Sequence, residues 1–215
     1  LIDQAADLGI ELFVLDDGWF GQRNHDNSSL GDWFEQESKL PQGLVGLSDY
    51  VHGKGMKFGL WFEPEMISEN SNLFREHPEW AIQTPGRSLT PGRQQLVLNM
   101  ANPEVRDNLF QQISKILDQV PIDYIKWDMN RHLTEVYALH LPGQAQGQVA
   151  HRYTLGVYEL MERLTKAYPH ILFESCSGGG GRFDLGILSY MPQTWTSDNT
   201  DAVERLKIQY GTSMM

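Results

Sequence analysis

The chain has 215 residues, 40% of them hydrophobic and 21% charged, the balance of a globular protein with a sizeable core rather than a disordered or fibrous one. Its 17 Lys and Arg against 28 Asp and Glu give a net charge of -11, which opposes contact with nucleic-acid phosphates or anionic membrane surfaces, and it holds no run of about 18 apolar residues able to span a bilayer. The single cysteine, Cys176, excludes an intrachain disulfide and fits a reducing, cytoplasmic setting, as does the lack of a basic, apolar leader at its start.

The chain opens inside a helical pattern, with Ile2, Ala5, Ala6 and Leu8 on one face and Gly9 as the stop. It stops at Met215 inside another, so it reads as a piece of a longer protein. Leu12 to Trp19 (LFVLDDGW) is an apolar run ending in acids and glycine, a buried parallel strand opening into a loop. The long polar segment from Gly21 to Lys39 reads as a loop with a task of its own. A helix over Leu44–Gly55 and a strand over Met56–Glu65 (MKFGLWFEPE) follow. Residues 80–99 contain Pro85, Gly86, Pro91 and Gly92 and form a strand-turn excursion ending in QLVLNM. Asn102 caps a helix that begins with Pro103 and runs to about Gln119. Next come a strand at Asp123–Asn130 (DYIKWDMN), a loop at Leu141–Gln148, and a helix from about Val149 to Ala167 with Tyr153, Val157, Leu160 and Leu164 on one face. Strand HILFESC, the glycine run, a short helix over Phe183–Leu188, strand QTWTSD and a helix from Ala202 complete the pattern.

Five strands alternating with helices argue an α/β fold with a parallel sheet, either doubly wound or a (β/α) barrel. No GxGxxG follows the first strand, which weakens a dinucleotide fold. Polar residues finish every strand, where barrel enzymes keep their chemistry.

Carboxylates dominate those strand ends: Asp16, Asp17, Glu63, Glu65, Asp128, Glu174, Asp198 and Asp201. Glycoside hydrolysis needs a carboxyl on each side of the scissile bond. Strand periodicity puts Lys126, Asp128 and Asn130 on one face, where the lysine would favour the ionised form of Asp128, a nucleophile. Asp198 ends the last strand and is the acid candidate; Asp201 is better placed to cap the helix after it. Paired acids beside Trp19 suit sugar hydroxyls, since carboxylates accept hydrogen bonds, and six tryptophans supply rings for sugar faces as well as for a core. The run CSGGGGR lacks the GK[ST] ending of a nucleotide-binding loop. Cys176 has no neighbouring histidine base and reads as an inert or ligand-lining thiol. Scattered histidines, with no HExxH, no CxxC and no calcium-loop spacing at Asp26, Asn27 and Ser28, give no metal site and no cofactor.

The motifs LDDGWF (15–20), GLWFEPEM (59–66), PGRQQLVLNM (91–100), YIKWDMNR (124–131), FESCSGGGGRFD (173–184) and TWTSDNTDA (194–202) together resemble glycoside hydrolase family 36, the bacterial α-galactosidases. The resemblance implies a (β/α)8 TIM barrel, of which this chain would hold about strands 2 to 6, residues 1–215 being part of the catalytic domain, with a β-sandwich and a C-terminal β domain flanking it in a homo-oligomeric whole. It implies hydrolysis, with retention, of terminal α-linked galactose from oligosaccharides of the melibiose and raffinose type. It makes Asp128 the nucleophile and Asp198 the acid/base, and gives substrate contacts to Asp16, Asp17, Trp61, Arg93, Lys126, Asn130, Cys176 and Gly178. A raffinose-synthase-like transglycosylase and an α-N-acetylgalactosaminidase share this catalytic pair; a non-catalytic sugar-binding barrel would be expected to lack one of its acids.

Overall fold

The structure, a computed structural model, describes residues 1–214. In chain order it contains α1 (Ile2–Asp7), β1 (Leu12–Leu15), α2 (Gly43–Gly53), β2 (Lys57–Phe62), β3 (Met66–Ile67), α3 (Asn72–Glu76), β4 (Leu96–Val97), α4 (Pro103–Leu117), β5 (Tyr124–Trp127), α5 (Val149–Ala167), β6 (Leu172–Ser175), α6 (Leu185–Leu188), β7 (Gln193–Thr194) and α7 (Ala202–Ser213). Short 3-10 turns lie at Pro78–Trp80 and Gly143–Gln148.

Five strands form one sheet in the order β1-β2-β5-β6-β7, every pair parallel. Each strand lies beside the one that precedes it in the chain once the small antiparallel β3–β4 pair is set aside, so the order never reverses as it does in a doubly wound sheet. Among the described residues the sheet does not close on itself; β1 and β7 are its edges. The register aligns Leu60, Ile125 and Phe173 on one face, all buried, and Trp61, Lys126, Glu174 and Gln193 on the other. Apart from Trp61 the second row is polar, and it leads to the strand ends.

The helices follow from their apolar spacing. In α4 the buried side chains are Val105, Leu109, Ile113, Ile116 and Leu117, and the Asn102 side chain accepts the Glu104 amide at its start. In α5 Tyr153, Val157, Leu160, Met161 and Leu164 turn inward, each full burial contributing about 1.5–3 kcal/mol. Gly156 sits where a Cβ would fall 1.9 Å from the Met100 carbonyl oxygen, so α5 can approach that segment only without a side chain there.

The strand expected over Met56–Glu65 is shorter, Lys57–Phe62. β2 stops at Phe62, Pro64 offers no amide to a ladder, and the chain turns, with the Met66 amide bonded to the Glu63 carbonyl. Met66–Ile67 then pairs antiparallel with Leu96–Val97, which is all of QLVLNM that forms a strand. The helix expected at Phe183 begins at Leu185, because Asp184 accepts the Gly186 and Ile187 amides as its cap. α3 and the two 3-10 turns had no clear signal in the periodicity.

Candidate active site

A parallel sheet delivers the C-terminal ends of all its strands to one edge. Here that edge receives Asp16 and Asp17 from β1, Glu63 and Glu65 from β2, Asp128 and Asn130 from β5, Cys176 and Gly178 from β6, and Asp198 from β7.

Asp128 is 6% exposed and held by three N–H groups. The Trp61 indole donates to Oδ2 at 3.1 Å, the Met129 amide to Oδ1 at 2.8 Å, and the Gly178 amide to Oδ1 at 3.4 Å. Its rotamer is therefore set by both neighbouring strands. Asp198 is exposed, and its Oδ1 accepts from the Trp195 indole at 2.8 Å. The ring of Trp195 has the Lys126 ammonium 5.3 Å from its centroid and the Arg205 guanidinium 5.0 Å from it, a double cation–π contact that fixes the indole.

The glycine run joins the two acids. The Ser177 hydroxyl donates to the Met129 carbonyl at 2.9 Å, the Gly178 amide reaches Asp128, and the Gly180 amide bonds the Thr196 carbonyl at 3.1 Å. Gly179 has φ +92°, and a Cβ on it would lie 3.0 Å from the Ser197 Cα and 3.5 Å from the Asp198 amide. Only glycine lets this loop pass so close. One short segment thus spans from the carboxylate of Asp128 to the backbone of Asp198.

The expected partner of Asp128 is different from the observed one. The Lys126 ammonium pairs with Asp16 Oδ2 at 2.9 Å, not with Asp128. Burial works against the charge on Lys126, but the Asp16 carboxylate, with Asp128 nearby, holds its pKa above the ordinary value. Asp17 is gripped by Arg23, Nε to Oδ1 at 2.9 Å and Nη2 to Oδ2 at 2.8 Å. The two adjacent acids diverge because the strand ends at Leu15 and the Asp17 amide turns back to Asp16 Oδ1. Trp61 keeps its ring buried against Phe20 and Trp33 and presents its indole N–H to Asp128. Cys176 is buried; burial first, and then the Asp128 charge, push its thiol up to about 12, so it stays protonated at neutral pH. The Asn130 side-chain oxygen faces Gly178, 3.8 Å from where a Cβ on that glycine would be.

Arg93 is exposed at the tip of a two-residue hairpin closed by paired bonds between Gly92 and Gln95 at 3.0 and 3.1 Å. Arg93 and Gln94 have φ of 50° and 59°, the left-handed conformation of a type I′ turn. Two ordinary side chains there cost about 1–2 kcal/mol each, so neighbouring contacts must hold the turn.

Three residues to which the sequence reading gave no site role contact this edge. Glu63 is buried; its Oε1 accepts from the Gln95 side chain at 2.9 Å and from the Asn130 amide. Burial first, with the nearby Asp128 charge adding to it, pushes its carboxyl up to about 7. Arg131 donates to the carbonyls of Thr90 and Gln95 at the neck of the Arg93 hairpin. Trp195 orients Asp198. Glu65, by contrast, is spent on structure: fully buried, it accepts from the Trp127 indole, the Tyr153 hydroxyl and the Arg182 guanidinium at 2.7–2.8 Å. The sequence shows EPE without saying which acid goes where, since that depends on the turn at Pro64.

A family model described as Melibiase matches residues 1–215. The chain belongs to the melibiase family. It is 61% identical over 214 residues to alpha-galactosidase 1 of Pediococcus pentosaceus, a match covering 100% of this chain and 29% of that protein. The crystal structure of a substituted form of the GH36 alpha-galactosidase AgaA of Geobacillus stearothermophilus in complex with raffinose superposes with a TM-score of 0.96 at 58% identity, over 99% of this chain and 30% of that one. A second substituted form of AgaA, in complex with stachyose, gives 0.95 at 58% identity, with 99% and 30% covered. The chain therefore spans less than a third of the length of these melibiase relatives.

Proposed function

We propose that this melibiase-family chain supplies the catalytic edge of a retaining α-galactosidase acting on terminal α-linked galactose of raffinose- and stachyose-type oligosaccharides. The observation that carries the reading is the glycine loop, which holds one buried and one exposed aspartate at the same sheet edge. The two AgaA variants support it. Each lacks one aspartate, and those two aspartates are separated by the same number of positions as Asp128 and Asp198. By that register the alanine also replaced in both variants falls on Ala5.

In this mechanism Asp128, oriented by Trp61 and the Met129 and Gly178 amides, attacks the anomeric carbon. Asp198, exposed toward the leaving group, protonates the departing oxygen. Asp198 then takes a proton from water as the water displaces Asp128 from the galactosyl intermediate. Two displacements give retention, which requires carboxyl groups about 5–5.5 Å apart. Asp16, Asp17, Trp61, Arg93, Lys126, Asn130, Cys176 and Gly178 line the galactose site. The sequential strand order and the open edges at β1 and β7 support a further reading, that the sheet is one arc of a (β/α)8 barrel.

The test uses an activated 2-fluoro-galactoside on the intact protein that carries this chain. Peptide mapping is expected to find the label on Asp128; a label elsewhere, or none, would remove the proposal. Asp198→Asn is expected to slow turnover of raffinose about 10²–10⁴-fold. It should spare attack on galactosides whose leaving group needs no proton, and equal losses on both substrate types would rule out the acid role.

A further inference from the structure

Arg131 follows directly on the loop that bears Asp128 and Asn130, yet its side chain leaves that loop. It is 3% exposed. Nη1 donates to the Thr90 carbonyl at 2.9 Å and the Gln95 carbonyl at 3.1 Å. Nε reaches the His132 carbonyl at 3.1 Å, and Nη2 the Thr134 hydroxyl at 2.6 Å, with the Glu135 carboxylate 3.9 Å away. The guanidinium lies against Gly92, where a Cβ would come within 3.2 Å of Nε. A planar fork with donors on two sides can bridge the hairpin neck and the strand-end loop at once; a lysine could not.

Gln95 is the point where two ties meet. Its carbonyl takes Arg131 and the Gly92 amide, its amide donates to Gly92, and its side chain donates to Glu63, whose carboxyl also takes the Asn130 amide. Among the described residues the turn has one further side-chain hydrogen bond, Gln94 to Asp26 at 3.2 Å on the exposed side. A left-handed pair made of Arg93 and Gln94 has no intrinsic reason to persist, so what holds its neck decides where Arg93 points.

We propose that Arg131 is a positioning residue that locks the left-handed turn presenting Arg93, and thereby sets how tightly the site holds a galactoside. The proposal rests on the α-galactosidase reading, in which Arg93 contacts substrate. Arg131 acts through Arg93, so its loss weakens ground state and transition state alike and appears in KM rather than kcat.

The test compares Arg131→Met, Arg131→Lys, Arg93→Ala, the Arg93→Ala/Arg131→Met double variant, and Gln94→Gly in the Arg131→Met background, all in the intact protein with raffinose. Arg131→Met is expected to raise KM roughly tenfold with kcat within about threefold of the parent, and Arg131→Lys to fall between. The double variant is expected to match Arg93→Ala alone, because two residues acting as one unit are not additive. Gln94→Gly, which favours the turn by itself, is expected to recover part of the lost affinity. Amide exchange at Gly92 and Gln95 should quicken in Arg131→Met while the sheet amides keep their protection. Additive KM effects, a fall in kcat at constant KM, or unchanged exchange at the hairpin would each overturn the proposal. A parent protein that hydrolyses no α-galactoside would instead strike the functional reading, and the exchange comparison would still decide whether Arg131 holds the turn.

Discussion

Glu63 is the residue whose chemistry departs most from its ordinary behaviour. Burial, reinforced by Asp128, lifts its carboxyl from 4.5 to about 7. An acid whose folded pKa lies above its unfolded one binds more protons when folded. Its contribution to stability is then fully present below about 4.5 and is lost as pH rises through about 7, a change on the order of 3 kcal/mol. Glu63→Gln is expected to flatten that decline, so that denaturant midpoints at pH 5 and pH 8 lie closer together than in the parent; an unchanged difference would show that another group dominates. That Asp128 and Asp198 lie beyond strand ends on one edge was legible, because parallel strands all finish on the same side of their sheet. Glu63 could not be separated from Glu65, and Arg131 was visible only as the last letter of a motif. Their roles come from which neighbours the Pro64 turn and the hairpin bring to them, and those neighbours lie 32 and 36–41 positions away in the chain.

At the scale of elements, the long helices were the most legible features. α4 starts at the expected Asn102–Pro103 cap and α5 spans the expected Val149–Ala167, because cap chemistry and a 3.6-residue period are local signals. The strands were placed correctly but drawn too long, since parallel strands of 2–6 residues end where pairing ends, which a run of apolar residues does not mark. Gly156 was unmarked too, being one glycine inside a helix. Its closeness to the Met100 carbonyl makes a firm expectation: Gly156→Ala should destabilise the protein by about 3 kcal/mol, the upper part of the overpacking range, despite alanine's better helix propensity. Urea unfolding of the two proteins checks it, and a neutral result would mean that α5 can shift away from that carbonyl at little cost.

For the whole molecule, the two ends of the sheet differ from its middle. α1 and α7 contain no buried residue, and Leu8, Val203, Leu206 and Tyr210 are exposed. Unpaired strand edges beside bare apolar side chains invite association. The 215-residue piece alone is expected to self-associate in size-exclusion chromatography and to show no turnover, while the intact protein hydrolyses raffinose; a monomeric, active piece would contradict the proposed barrel arc. The uninterrupted strand order has a consequence for synthesis. Each strand joins the outer side of the one made just before it, so no later segment has to wedge between partners already zipped together. The sheet can accrete in the direction in which a ribosome releases it. Asp128 takes its last N–H, from Gly178, only once β6 has joined, so its carboxylate is seated ahead of Trp195 and Asp198 by one segment of chain and not by most of the sheet.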